Sequence, residues 1–249
     1  MFPIGDDNSD RTMTPYVNYI IIALNVIVFV FLQGMSGDSP FTFSYAAVPG
    51  EILTGHDIVT NARVITDPNT GDRFTMPGLG PTNIPVYFTL ITSMFMHGGF
   101  AHIAGNMLYL WIFGDNIENA IGHKRYLLFY LLCGVIASLS HVFATKLLGQ
   151  NLLIPSLGAS GAISGVLGAY ILLFPKRRVT MFLFRFISHV SAFWAIGIWI
   201  LFQIINGLGM LGGSEAGGVA YAAHIGGFLA GLVLIKLFVP STREAYRPN

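Results

Sequence analysis

From Tyr126 to Thr145 the chain runs for twenty residues without one Asp, Glu, Lys or Arg. That is about the length a helix needs to cross a hydrocarbon layer roughly 30 Å thick. Such a stretch can span a bilayer only as a helix or within a closed barrel, because unpaired N–H and C=O groups find no water there. Five further apolar stretches follow: Tyr16 to Leu32, about Ala101 to Ile117, Ala159 to Phe174, about Val190 to Asn206, and Ala220 to Val239. Only 10% of the residues are charged, against about 25% in soluble domains. The sequence predicts an all-α polytopic membrane protein with six transmembrane helices.

The connections set the organisation. Residues 1–15 are short and polar and are read as a cytoplasmic tail, residues 16–239 as one six-helix domain, and residues 240–249 as a second cytoplasmic tail. The first span is read as retained, since it lacks a basic leader beyond Arg11 and a small-x-small cleavage site. Gly34 to about Ile84, rich in Pro and Gly, is read as a long exposed outer loop whose apolar patch Phe41 to Val48 touches the membrane interface. Val86 to Met96 is apolar but short. With both termini cytoplasmic, ten of the thirteen Lys and Arg residues lie on the inner side, leaving only Arg63, Arg73 and Lys146 outside. The short N-terminal segment without a transit signature fits a prokaryotic plasma membrane. No basic run suggests nucleic acid, and the single cysteine, Cys133, offers neither a disulfide framework nor a thiolate metal site.

Two spans carry polar residues at matching depth. Pro175-Lys176-Arg177-Arg178 pins the inner end of the fourth span, and Ser160 lies fourteen steps before Phe174, about 21 Å along a helix. Ser160 therefore sits roughly 10 Å below the outer surface of a layer about 30 Å thick. His224 lies fourteen steps before Phe238, close to the Pro240 break, and so falls at the same level. Gly161, Gly165 and Gly168 on one span and Ala223, Gly227 and Gly231 on the other form small-residue stripes that allow close packing. Taken singly, Ser160 reads equally as an N-cap, and His224 as a bundle hydrogen bond or part of a transport path. Taken together they make a nucleophile and its base. No third acid is at hand: Asp115 and Glu118 lie toward the other end of the second span and Glu215 in an outer loop. His102 and Asn106, one helical turn apart, are neutral donors suited to an oxyanion or to bonding between helices. The Ser160 amide at a helix start would add another donor. His97 reads as a further site residue or a loop anchor, the anchor being favoured.

The motifs His97…His102-x-x-x-Asn106, Gly158-Ala159-Ser160-Gly161 and Ala223-His224-x-x-Gly227, in order on the second, fourth and sixth spans, resemble the rhomboid intramembrane serine proteases from Tyr16 to Val239. The resemblance implies a rhomboid-like bundle in which Ser160 is the nucleophile and His224 the general base. His102, Asn106 and the Ser160 amide would form the oxyanion hole, with Gly158 on the substrate-binding side. Substrates would be transmembrane proteins met within membrane lipid, and no cofactor, metal, nucleotide or nucleic acid would be needed. Two positions depart from the family pattern. The first outer loop has no Trp-Arg pair, and Ser164 stands where a tyrosine stacks under the histidine in some members, so His224 must be oriented in another way.

Two other readings compete: a catalytically inactive rhomboid-like protein that binds membrane clients, and a small transporter using His102, Asn106 and His224. Intact Ser160 and His224 weigh against the first. Six spans without a repeat or a mid-membrane acid weigh against the second. Zinc, aspartyl and soluble-hydrolase chemistries lack their motifs: there is no H-E-x-x-H, no intramembrane aspartate pair and no G-x-S-x-G. Phe193, Trp194 and Trp199 on the fifth span, or the loop Leu208 to Gly218, are candidates for a gate.

Overall fold

The computed structural model describes residues 2–66, 71, 73–183, 185–211 and 221–240. Strand β1 (Phe2–Asp6) precedes α1 (Tyr16–Ile27), which widens into a π-turn at Val28–Leu32. The first connection holds α2 (Pro40–Tyr45), α3 (Pro49–Thr54) and the hairpin β2 (Arg63–Thr66) and β3 (Arg73–Met76). Helix α4 (Thr89–Thr92) lies inside the apolar helical stretch Val86–Phe95. Helix α5 (Phe100–Tyr109) continues through a second π-turn, Leu110–Gly114, into α6 (Asp115–Ile121). Then come α7 (His123–Leu147), α8 (Ser160–Leu173), strands β4 (Arg178–Leu183) and β5 (Phe186–Ser191), α9 (Ala192–Leu211) and α10 (Tyr221–Phe238). By length and composition α7 and α10 can cross a membrane, while Tyr16–Leu32, Ser160–Leu173 and Ala192–Leu208 are apolar but shorter.

The expectation of an all-α chain needs correction. β1, β4 and β5 form a three-stranded antiparallel sheet in the order β1-β4-β5. The connection after α8 carries β-branched and aromatic residues (Val179, Thr180, Phe182, Ile187, Val190) that suit a pleated hairpin. The first residues form an edge of this sheet: Phe2 pairs with Phe182 and Asp6 with Val179. Pro3, which has no N–H for the ladder, lies on this edge strand, and the register shifts between Pro3 and Gly5. The hairpin also takes Val190 out of the fifth span, so that α9 begins at Ala192. Of the loop read as Leu208 to Gly218, residues up to Leu211 continue α9, and the remainder, with Glu215, lies outside the described residues, as do Ala220 and residues 241–249.

The long first connection is not exposed throughout. Ser39 caps α2 by accepting from the Thr42 amide (3.2 Å), with Pro40 at the first helical position. Ala46, Ala47 and Val48 are buried. Ala47 and Ser156 exchange backbone hydrogen bonds of 3.1 and 2.8 Å, and the Thr92 hydroxyl donates to the Tyr45 carbonyl at 2.7 Å. The apolar patch folds against the chain around the start of α8, which satisfies its backbone groups locally.

Polar residues inside apolar helices are tied to neighbours. Asn18 donates to the Leu110 carbonyl in the π-turn (3.0 Å) and accepts from the Tyr126 hydroxyl (2.8 Å). Glu118 accepts from the Val17 and Asn18 amides at 2.9 and 2.7 Å, capping the start of α1 with a buried carboxylate. Asp115 pairs with Arg11 at 2.9 Å. Asp6 accepts from Tyr170 Oη (2.5 Å) and Asn116 Nδ2 (2.8 Å), and burial pushes its carboxyl up to about 6.

The tightest packing joins α8 to α10. A Cβ on Gly227 would lie 2.1 Å from the Gly161 carbonyl oxygen, and one on Gly231 only 1.9 Å from that of Gly165. Backbone meets backbone here, so neither position can yield by a rotamer change. Gly231→Ala is expected to cost about 1–3 kcal/mol or more of stability by forcing the two helices apart. Thermal unfolding of the detergent-solubilised variant beside wild type measures this.

Candidate active site

The two glycine stripes decide where the first turns of α8 and α10 lie. Ser160 is the first residue of α8 and His224 stands one turn into α10. The facing backbones are close enough for their side chains to meet: Ser160 Oγ lies 2.9 Å from His224 Nε2. The equal depth read from the sequence thus becomes a direct hydrogen bond between two helices. The other ring nitrogen, Nδ1, lies 2.8 Å from Gln203 Oε1 on α9. Trp199, one turn before Gln203, places its ring centroid 5.9 Å from that of His224 at an interplanar angle of 40°.

The approach to Ser160 is shaped by Gly158. This residue has φ +122, a left-handed conformation that side chains disfavour, and its amide donates to the Ser93 carbonyl at 2.9 Å. A Cβ there would fall 2.9 Å from His102 Cε1 and Nε2 and 3.6 Å from Ser160 Oγ. Gly158 therefore leaves room for the His102 ring next to the serine. The Gly98 amide donates to His102 Nδ1 at 3.2 Å. A backbone N–H can only donate, so the neutral His102 ring carries its proton on Nε2, the atom facing Gly158. Asn106, one turn later on α5, is buried, and its Nδ2 donor has no hydrogen-bond partner among the described residues.

Ser160, His224, His102 and Gly158 thus come together, with Asn106 on the same helix as His102. Ser164, at the family's tyrosine position, donates instead to the Ser160 carbonyl (2.6 Å), and the ring beside His224 belongs to Trp199. His97 is anchored through its backbone: its amide donates to Gln33 Oε1 (2.8 Å) and its carbonyl accepts from Gln33 Nε2 (3.0 Å). Its buried ring lies edge-on to His102 with a centroid separation of 5.1 Å, and both its nitrogens lack partners among the described residues. Asp115 and Glu118 are held in the contacts to Arg11 and the α1 amides. Sequence reasoning missed Gln203. Its signal is an amide in an apolar helix, in step with Ala192, Ile196 and Trp199 at spacings of four, three and four.

A sequence model of the Rhomboid domain matches residues 85–241, the stretch that holds every residue of this site. The chain belongs to the rhomboid family. As a rhomboid it is a polytopic helical membrane protein, for which the family carries protease activity. It is 33% identical over 160 residues to the mitochondrial Rhomboid protein 1 of Saccharomyces cerevisiae, covering 64% of this chain and 44% of that protein. To Rhomboid protease GluP of Bacillus subtilis it is 36% identical over 146 residues, 58% of this chain and 25% of that one. To the mitochondrial presenilin-associated rhomboid-like protein of Homo sapiens it is 34% identical over 148 residues, 57% and 36% of the two chains. This rhomboid spans less than half the length of each of these relatives.

The double constraint at Gly158, left-handed backbone and a ring at contact, separates it from Gly149, which has φ +65 but open space around its Cα. Gly149→Ala is expected to lose about 1–2 kcal/mol from backbone strain alone, and Gly158→Ala more, by displacing His102. Paired thermal unfolding curves of the two variants test the difference.

Proposed function

We propose that this rhomboid is an intramembrane serine endopeptidase that cuts membrane proteins in or near their transmembrane segments with a Ser160–His224 dyad. The observation that carries this reading is the 2.9 Å contact between Ser160 Oγ and His224 Nε2. A serine hydroxyl is a weak nucleophile until a base removes its proton, and an imidazole nitrogen at this distance is such a base. The name of the Bacillus relative, a rhomboid protease, favours the same chemistry.

In this mechanism Ser160 Oγ attacks the substrate carbonyl while His224 Nε2 takes the hydroxyl proton. Negative charge gathers on the carbonyl oxygen, where the Ser160 amide, His102 Nε2–H and the unpartnered Asn106 Nδ2 are the available donors. Gly158 keeps that corner open. Protonated His224 then gives its proton to the leaving amine, and water activated by the same imidazole releases the acyl group from Ser160. Asp115 and Glu118 take no part, since their carboxylates are engaged elsewhere.

The six-span arrangement belongs to the same proposal. The spans are Tyr16–Leu32, the composite helix from Phe100 to Ile121, α7, α8, α9 and α10, with both termini on the cytoplasmic side and the long first loop outside. The short span α8 suits a pocket sunk below the outer surface, because its N-terminus need not reach the interface. The relatives do not support the prokaryotic plasma membrane expected from the N-terminal segment, since two of the three named above are mitochondrial. The proposal is therefore confined to a multi-pass position in a cellular membrane.

In proteoliposomes holding a single-span substrate, Ser160→Ala is expected to lower cleavage by at least about a thousandfold. It should also abolish labelling by a fluorophosphonate. Equal cleavage by wild type and Ser160→Ala would end the protease reading and favour the client-binding alternative. His102→Ala is expected to lower kcat by about 10²–10³-fold with little change in KM, read from initial rates in the same vesicles.

A further inference from the structure

Helix α9 is apolar along most of its length, and Leu201, Phe202, Ile204 and Ile205 around Gln203 are exposed on its surface. Its other side-chain amide, Asn206, bonds back to its own helix, donating to the Phe202 carbonyl at 2.8 Å. Gln203 does something different. It lies on the inward stripe with Ala192, Ile196 and Trp199, half-buried, and its Oε1 reaches across to His224 Nδ1 at 2.8 Å.

A neutral imidazole has one N–H and one lone pair, and which nitrogen holds the proton is set by the partner of the other. An amide oxygen can only accept. Facing Gln203 Oε1, His224 Nδ1 must carry the proton, which leaves Nε2 with the lone pair that the Ser160 hydroxyl requires. Among the described residues no carboxylate is bonded to His224, and Ser164 is turned to the Ser160 carbonyl. We propose that Gln203 is the positioning residue of this active site, holding His224 in the Nδ1–H tautomer and turning its Nε2 toward Ser160. This rests on the Ser–His protease reading and adds to it the group that orients the base. When the ring becomes an imidazolium, Nδ1 keeps its proton and the same amide oxygen continues to accept from it, so the bond persists through the proton transfer. Because the acceptor sits on α9 and the base on α10, the base is poised only while those two helices stay in register.

The test pairs a spectroscopic readout with kinetics on the full chain in proteoliposomes. In protein containing 15N-histidine, the His224 signals are identified by their loss in His224→Ala. Wild type is expected to show a protonated Nδ1 and an unprotonated Nε2, and Gln203→Leu a shift toward the Nε2–H form. In cleavage assays Gln203→Leu is expected to lose about 10–100-fold in kcat with KM within about twofold, as for a mis-set general base. Gln203→Glu, which keeps an oxygen acceptor at the same reach, should stay within about fivefold of wild type. A wild-type His224 protonated on Nε2 would overturn the assignment without reference to any variant's folding. So would an active wild type whose turnover and tautomer are unchanged in Gln203→Leu. A wild type with the Nδ1–H form, lost in Gln203→Leu, but no cleavage and no label on Ser160 would leave the Gln203–His224 bond standing and remove the protease reading alone.

Discussion

Ser160 and His224, on different helices, meet where two backbones approach more closely than ordinary side chains permit. Helices α8 and α10 reach that separation by removing the side chains: Gly161 and Gly165 face Gly227 and Gly231, with carbonyl oxygens where β-carbons would otherwise be. In a bilayer, helices gain nothing by hiding apolar surface from lipid, so close van der Waals contact of this kind is what holds them in place. The Ser160–His224 contact lies at the end of that seam and inherits its precision from backbone atoms.

A second layer of restraint lies at the other end of the bundle. The sheet β1-β4-β5 joins the chain's beginning to the hairpin between α8 and α9, and Asp6 ties that sheet to Tyr170 on α8 and Asn116 on α6. Arg177 adds contacts to Asn116, to Asp10 and to the Asp7 carbonyl. Glu118 uses its charge to cap α1. The acidic side chains Asp6, Asp115 and Glu118 are thus engaged in contacts that hold the fold, gathered where charge is less costly than in the middle of a span. Among the described residues the site is left with uncharged kinds of group: a hydroxyl, imidazoles and amides. These can be buried in a poor dielectric without the desolvation cost of an unpaired ion.

How far the sequence can be read depends on the kind of interaction involved. The apolar runs, the common level of Ser160 and His224, and the glycine stripes are all local or periodic properties, and each is legible because helix geometry converts residue count directly into height and face. The hairpin β4–β5 was harder. Short runs of six residues fit a strand or a helix end equally well, so the local pattern alone places Val190 in a helix and gives no strand to the first residues. Their pairing joins Phe2 to Phe182, residues distant in the chain, and no local pattern carries that information. The same holds for the first connection, whose apolar patch has the composition of an interfacial loop and whose pairing of Ala47 with Ser156 joins residues far apart in the chain.

By itself, then, the sequence determined a helical membrane chain with Ser160 and His224 at one level, small residues between them, and His102 and Asn106 on a shared face. It left Ser164 as a missing support without naming a replacement. Only the tertiary structure decided which side chains lie against His224, because the rotation of α9 about its axis and its approach to α10 bring Gln203 and Trp199 to its ring. A span's depth follows from counting residues against a membrane of fixed thickness. Which neighbour faces it, and through which atom, depends on packing among all the helices at once, and that is settled only in three dimensions.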